Sequence, residues 1–223
     1  MQGGNVDRII RVTGKGKISV KPDIIRLNFE AVGTYREYSL SLRKSAEHTN
    51  LLRETILKAG FDPQNLKTTH FDINTEYESY HDRNGDYRSR FIGYKYTHNL
   101  YIQLPNDNEQ LGKVLYQLAN NAVNVDFSIR YTVKDANAVK NELLGKAIED
   151  SKIKAEVLAK AAGVSLGEIK TIDYSWGELE IYSEPIEGIQ LNQQSMPVEG
   201  YNFNIVADDI DVQDTVTIIW EIK

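Results

Sequence analysis

Thr69-His70-Phe71-Asp72-Ile73-Asn74-Thr75-Glu76-Tyr77 and Ile92-Gly93-Tyr94-Lys95-Tyr96-Thr97-His98-Asn99-Leu100-Tyr101-Ile102-Gln103-Leu104 alternate in character on either side of Asn84-Gly85. A period of two is the signature of a strand with one face turned to a core. Asn-Gly is the preferred centre of a two-residue type I′ turn, which predicts Arg83 opposite Asp86. Counting outward then places Tyr77 opposite Ile92, Thr75 opposite Tyr94, Ile73 opposite Tyr96, Phe71 opposite His98 and Thr69 opposite Leu100. Apolar row meets apolar row, and a slip of one residue would break the match.

The flanking segments extend the pattern. Ile10, Val12, Ile18 and Val20 share one parity, as do Ile25, Leu27, Phe29 and Ala31, so two long strands are expected. Lys21-Pro22-Asp23 supplies the bend of an opening hairpin, since proline pre-sets φ and cannot donate within a ladder. Gly14 and Gly16 fall on the inward parity, where a missing side chain admits a close neighbour or marks a bulge. A phosphate-cradling loop does not fit, because Ser19 stands where a third glycine belongs and a strand follows in place of a helix.

Three helices are predicted. The first runs from Tyr35 to Ala59, with Tyr38, Leu42, Ala46, Thr49, Leu52 and Ile56 on its inner stripe and Gly60 closing it. Asp107, with Gln110 in the capping-box position, opens a short helix burying Leu111, Val114, Leu115 and Leu118. Asp135 caps a long one to Ala162, with Val139, Leu143, Ala147, Ser151, Ala155, Leu158 and Ala162 inward. Glu142–Lys146, Asp150–Lys154 and Glu156–Lys160 are exposed i,i+4 pairs on it. Between the last two helices Val123 to Val133 alternates as a strand, and Glu168–Ser175 and Val212–Lys223 end the chain on two more. The expected class is therefore α+β: antiparallel sheet backed by three helices, in the order β-β-α-β-β-α-β-α-β-β. Residues 1–7 read as a tail and 8–223 as a single domain, within which 183–211 is a long irregular segment.

Gly14-Lys15-Gly16-Lys17-Ile18-Ser19-Val20-Lys21-Pro22-Asp23, Asn65-Leu66-Lys67-Thr68, Gly93-Tyr94, Ala147-Ile148-Glu149-Asp150 and Leu158-Ala159-Lys160-Ala161-Ala162-Gly163 follow one another at characteristic intervals. In that order they resemble the SIMPL-domain family, domain of unknown function 541, from about Arg8 to Lys223. The resemblance implies helices against an antiparallel sheet, self-association in some members, and roles in stress defence or as a signalling adaptor. It implies no catalytic residues. The polar 183–211 segment is where this chain departs most from the family pattern.

Composition narrows the function classes. The 223 residues are 41% hydrophobic and 26% charged, with no run long enough for a membrane-spanning helix. A net charge of −6 without a basic stripe argues against nucleic acid as a partner. The absence of cysteine removes thiol chemistry, disulfides and cysteine-ligated zinc. Residues 1–7 have no basic or apolar signal region, so the expected compartment is the cytoplasm, or the periplasm or cell envelope if the natural chain begins further upstream.

No catalytic, metal or cofactor motif emerges. His48 lacks a second histidine one turn on, His70 and Asp72 share an outward strand face but make only two ligands, and His98 reads as a hydrogen-bonded inward histidine. There is no nucleophile elbow. Tyrosine is the anomaly, with 13 residues against six phenylalanines and two tryptophans. Tyr77, Tyr80, Tyr87, Tyr94 and Tyr96 concentrate on one hairpin and are the candidate interface, since a tyrosine ring buries apolar area while its hydroxyl tolerates water. The expectation is a non-enzymatic protein that binds protein partners and associates with itself, against the alternative of a hydrolase or ligand-binding enzyme built from dispersed carboxylates and histidines.

Overall fold

A computed structural model describes residues 8–121, 125–174, 179–187 and 205–223. Among these residues the order is β1 (Ile9–Val20), β2 (Ile24–Tyr35), α1 (Tyr38–Lys58), a 3-10 turn (Pro63–Asn65), β3 (Lys67–His81), β4 (Tyr87–Pro105), α2 (Asn108–Asn120), β5 (Asp126–Thr132), α3 (Ala136–Ala161), β6 (Leu166–Asp173) and β7 (Ile210–Ile222). The α+β class and the element order are those expected. The strands form two antiparallel sheets, β1-β7-β6 and β3-β4-β2-β5.

The opening pair of strands is not a hairpin. β1 pairs along its whole length with β7, from Ile9 opposite Glu221 to Val20 opposite Ile210, whereas β2 lies between β4 and β5. Lys21-Pro22-Asp23 is thus the passage from one sheet to the other. Alternation specifies that each segment is a strand, but both strands offer a similar apolar row, so alternation does not choose the partner. By their internal packing the residues fall into two compact units. One comprises residues 1–22, 133–182 and 208–223, the other 23–132 and 183–207.

In the first unit α3 crosses the β1-β7-β6 sheet directly over the two glycines of β1. A Cβ on Gly14 would overlap the Ala147 carbonyl oxygen, and one on Gly16 would overlap the Leu143 carbonyl oxygen. That is the close-approach role expected of them. The inner stripe of α3 is small, with Ala147, Ser151, Ala155 and Ala159 buried, and the stripe turns away before Leu158, which is half exposed. Beneath it pack Val12, Val216, Ile218 and Trp220. Asp135 caps the helix by accepting from the Ala138 N–H at 2.9 Å, and Glu142–Lys146 and Asp150–Lys154 form at 3.0 and 2.7 Å.

In the second unit α1 and α2 lie against the long sheet. Ile25, Leu27 and Phe29 of β2, Leu100, Ile102 and Leu104 of β4, and Ile129 and Tyr131 of β5 meet Leu52 and Ile56 of α1 and the four predicted apolar residues of α2. Asp107 accepts from the Glu109 N–H at 2.8 Å as the cap of α2. Of the irregular 183–211 segment, 188–204 lie outside the described residues. Ser183 and Ile186 run beside β5, where Ile129 and Ile186 exchange backbone hydrogen bonds at 3.1 and 2.8 Å.

The β3–β4 hairpin forms, but its turn is not type I′. Among the described residues no non-glycine has a positive φ, so Asn84 lacks the conformation that type demands, while Gly85 is left-handed at φ 84°. Gly85 N–H donates to the Asp82 carbonyl at 3.0 Å and Asp82 N–H to the Asp86 carbonyl at 2.9 Å, giving a three-residue loop ended by a glycine bulge. This shifts the register by one: His81 faces Tyr87 and Tyr77 faces Phe91 in place of Ile92. A second irregularity, which inserts Ile92 into β4, shifts it back. From there Thr75 faces Tyr94, Ile73 faces Tyr96 and Phe71 faces His98, as alternation predicts. A third, at Thr69, puts Thr68 opposite Leu100.

Candidate functional site

Two features could carry function, a polar cluster between α1 and β4 and an aromatic row on the hairpin. The cluster exists because α1 is rotated from its predicted setting. Tyr38, Leu42 and Ala46 are exposed, Ser41 and Ser45 are buried in their place, and Thr49 is buried as predicted. Leu52 and Ile56 remain inward, so the prediction holds for the second half of the helix and fails for the first. The cause lies on the facing strand. Tyr94, Tyr96 and His98 present ring bulk and polar atoms, which are met by small hydroxyl side chains better than by leucine. Ser41, Ser45, Thr49, Leu52 and Ile56 are themselves spaced three or four apart, and that row was the legible signal.

Ser41 Oγ donates to the Tyr94 carbonyl at 2.7 Å, and Thr49 Oγ1 to the Ser45 carbonyl at 2.9 Å. With its single proton so used, Thr49 accepts from His98 Nδ1 at 3.0 Å, and His98 Nε2 accepts from the Thr68 hydroxyl at 2.9 Å. His98 is the hydrogen-bonded inward histidine expected, with its ring edge-on to Phe71 at 5.0 Å. Burial, and after it the Arg53 charge, hold its pKa below the ordinary imidazole value. One residue pair along, the fully buried Tyr96 hydroxyl bonds His48 Nδ1, and Tyr96 stacks parallel to Tyr35 at 6.5 Å. Burial, then the neighbouring Tyr35, push the Tyr96 phenol up to about 12.

His70 and Asp72 do approach each other, with Nε2 and Oδ2 3.5 Å apart, and Asn74 also donates to that carboxylate oxygen at 2.7 Å. Among the described residues no three His, Asp or Glu side chains converge as metal ligands.

The tyrosines singled out from the sequence divide by strand parity. Tyr77, Tyr87, Tyr94 and Tyr96 lie on the face that α1 covers, and Tyr80 lies on the other, where the Arg90 guanidinium sits 5.6 Å from its ring. Tyr96 has no accessible surface and supports the site without presenting itself. Tyr94 is half buried at the margin of α1. From it an aromatic row runs outward, edge to face: Tyr38 meets Tyr94 at 5.6 Å, Tyr94 meets Phe91 at 5.3 Å, and Phe91 meets Tyr77 at 5.7 Å. His81 and Tyr87 continue it at the tip, 5.7 Å apart. Tyr38, Tyr77, Phe91 and Tyr87 are 53, 57, 46 and 69% exposed, so helix cover ends and the apolar row does not. A two-residue turn would give Phe91 the opposite parity, so periodicity alone does not mark it as part of this row.

The opposite hairpin face carries the charges, paired among themselves. Arg90 binds Glu78 at 2.6 Å and Arg88 binds Asp82 at 3.1 Å. Burial is the largest single influence on the Asp82 carboxyl and acts upward. The Arg88 bond and the N–H groups of Asn84 and Asp86 together outweigh it, so its pKa lies below the usual carboxylate range.

This fold and hairpin define an α+β protein of two antiparallel sheets backed by helices. The family model "SIMPL: Protein of unknown function (DUF541)" matches residues 10–220, and the chain belongs to that family. It is also similar to two proteins named "26 kDa periplasmic immunogenic protein". One is from Brucella abortus (strain S19), at 25% identity over 96% of this chain and 84% of that protein. The other is from Brucella melitensis biotype 1, at 24% identity over the same shares. No helix among the described residues is long and apolar enough to cross a membrane.

Proposed function

We propose that this SIMPL-family protein works by binding protein surfaces, and that one of its partners is a second copy of itself. The observation that carries this reading is the exposed row Tyr38–Tyr94–Phe91–Tyr77, an uncharged aromatic surface on a hairpin whose charges are confined to the other face. Aromatic residues are enriched, and unpaired charges depleted, at the centres of protein interfaces. The non-enzymatic reading is supported by His98, both of whose ring nitrogens are engaged by threonine hydroxyls. It is further supported by the His70–Asp72 pair, whose imidazole is exposed to water. A periplasmic location, in preference to the cytoplasm, is supported by the names of the two Brucella relatives.

Light scattering on the wild-type chain tests the self-association. A mass above one chain is expected, and replacing both Tyr77 and Phe91 by Ser should lower it with the far-ultraviolet circular dichroism unchanged. A wild-type protein that stays monomeric across the micromolar range sinks the reading. Fractionation of the source cells tests the compartment, where recovery only with cytoplasmic markers would exclude the periplasm.

A further inference from the structure

Both sheets end in edge strands, and an uncovered edge is a template for another strand. The edge at β1 is covered, because Asp150 of α3 accepts the Lys15 N–H at 2.7 Å and Lys154 donates to the Thr13 carbonyl at 3.4 Å. The edge at β5 is covered by Ser183 and Ile186. β6 is only eight residues long, with two register shifts. β3 differs from all of these. It is 15 residues long and contains no proline, and among the described residues nothing pairs with its outer edge. The Asp82 N–H points to β4, so the residues of the opposite parity, His81, Ser79, Tyr77, Thr75 and Ile73, direct their backbone groups outward.

We infer that this edge pairs antiparallel with β3 of a second copy, about a two-fold axis through Thr75. The inference rests on the self-association proposed above and gives that contact its geometry. A two-fold axis perpendicular to the sheet keeps the aromatic faces of both copies on one side, and the side chains choose among the registers. Centring on Glu76 would set that carboxylate against its own copy. Centring on Asn74 would set Asp72 against Glu76, whose neighbour on β4 is Gly93. Centring on Thr75 sets Ile73 against Tyr77 twice and Asn74, an amide donor, against Glu76 twice. Asp72 then faces Glu78, already held by Arg90 at 2.6 Å. The like charges that remain opposite in this register are thus the ones Arg90 compensates, and opposed apolar pairs are retained.

Charge exchange at the axis is the test. Thr75→Lys and Thr75→Glu should each lower the mass of the wild-type oligomer at equal concentration, since each sets like charges against each other. An equimolar mixture of the two should restore it. In this cysteine-free chain Thr75→Cys should also form a disulfide-linked dimer on mild oxidation, and Thr171→Cys, on exposed β6, should not. A wild-type oligomer whose mass neither charge variant changes, with no selective linkage at Thr75→Cys, overturns the edge pairing and leaves self-association standing. A monomeric wild type overturns both.

Discussion

The Tyr96 hydroxyl reaches His48 Nδ1 from the inner face of β4, a bond that joins the sheet to α1 at the point where the helix turns its hydroxyl stripe inward. A leucine stripe would have docked anywhere along an apolar sheet, whereas this pair fixes both rotation and register of the helix. Replacing Tyr96 by Phe keeps the ring and leaves His48 Nδ1 without that partner. The expected loss is about 1–3 kcal/mol, read from the urea midpoint at constant slope.

The same phenol has a pH signature. Its pKa is raised to about 12 in the fold, against 10.0 as the ordinary value. The neutral form is the stabilised one, so its contribution is whole below pH 10.0 and is lost as pH rises toward 12. Burial also raises the Tyr131 phenol, and the Asp214 hydrogen bond that of Tyr174, so ultraviolet titration should show a group of tyrosines ionising after the exposed ones, and Tyr96→Phe should reduce its late amplitude by one tyrosine.

His98 gives the opposite dependence. Its folded pKa lies below the ordinary 6.5, so the unfolded chain binds the proton more readily. The contribution of the neutral ring is whole above pH 6.5 and falls away as pH drops through the folded value. Urea midpoints measured downward from neutrality should decline, and His98→Gln should flatten part of that decline. A midpoint independent of pH in the wild type across this window would refute the assignment.

Glycine substitutions separate close packing from mere flexibility. At Gly14 an added Cβ meets backbone atoms of Ala147 and Ser151, which do not move aside as a side-chain end would. Gly14→Ala is expected to cost about 1–3 kcal/mol or more. Gly145, inside α3, has nothing within 4 Å of an added Cβ, and Gly145→Ala should stabilise by about 0.5–1 kcal/mol. Thermal melting of the two variants should move in opposite directions.

The hairpin turn depends on one carboxylate. Asp82 accepts from Asn84 N–H at 2.9 Å, Asp86 N–H at 3.1 Å and Arg88 Nε at 3.1 Å. Asp82→Ala should loosen the loop, broadening the amide resonances of residues 83–88 while leaving those of the β4 core from Leu100 to Leu104 in place.

Sequence alone determined the elements and most of their inner faces. The seven strands found among the described residues were all located, six of them by alternation, caps at Asp107 and Asp135 located two helix starts, and the match of apolar rows set Phe71 opposite His98. These are local properties, because side-chain direction follows from a period of 2 or 3.6 and a cap from its own next turn. Tertiary structure alone decided which strand β1 pairs with, how α1 is rotated, and the bulge at Ile92 that offsets the glycine bulge at Gly85. It likewise decided that Tyr96 is buried while Tyr77 and Phe91 are exposed. Each of these depends on what a distant segment places opposite, such as β7 along β1, Tyr94 and His98 beneath Ser41 and Thr49, or the Tyr35 carbonyl against Gly93. Periodicity states which side of an element is apolar, and only the assembled neighbours determine how far that side is covered.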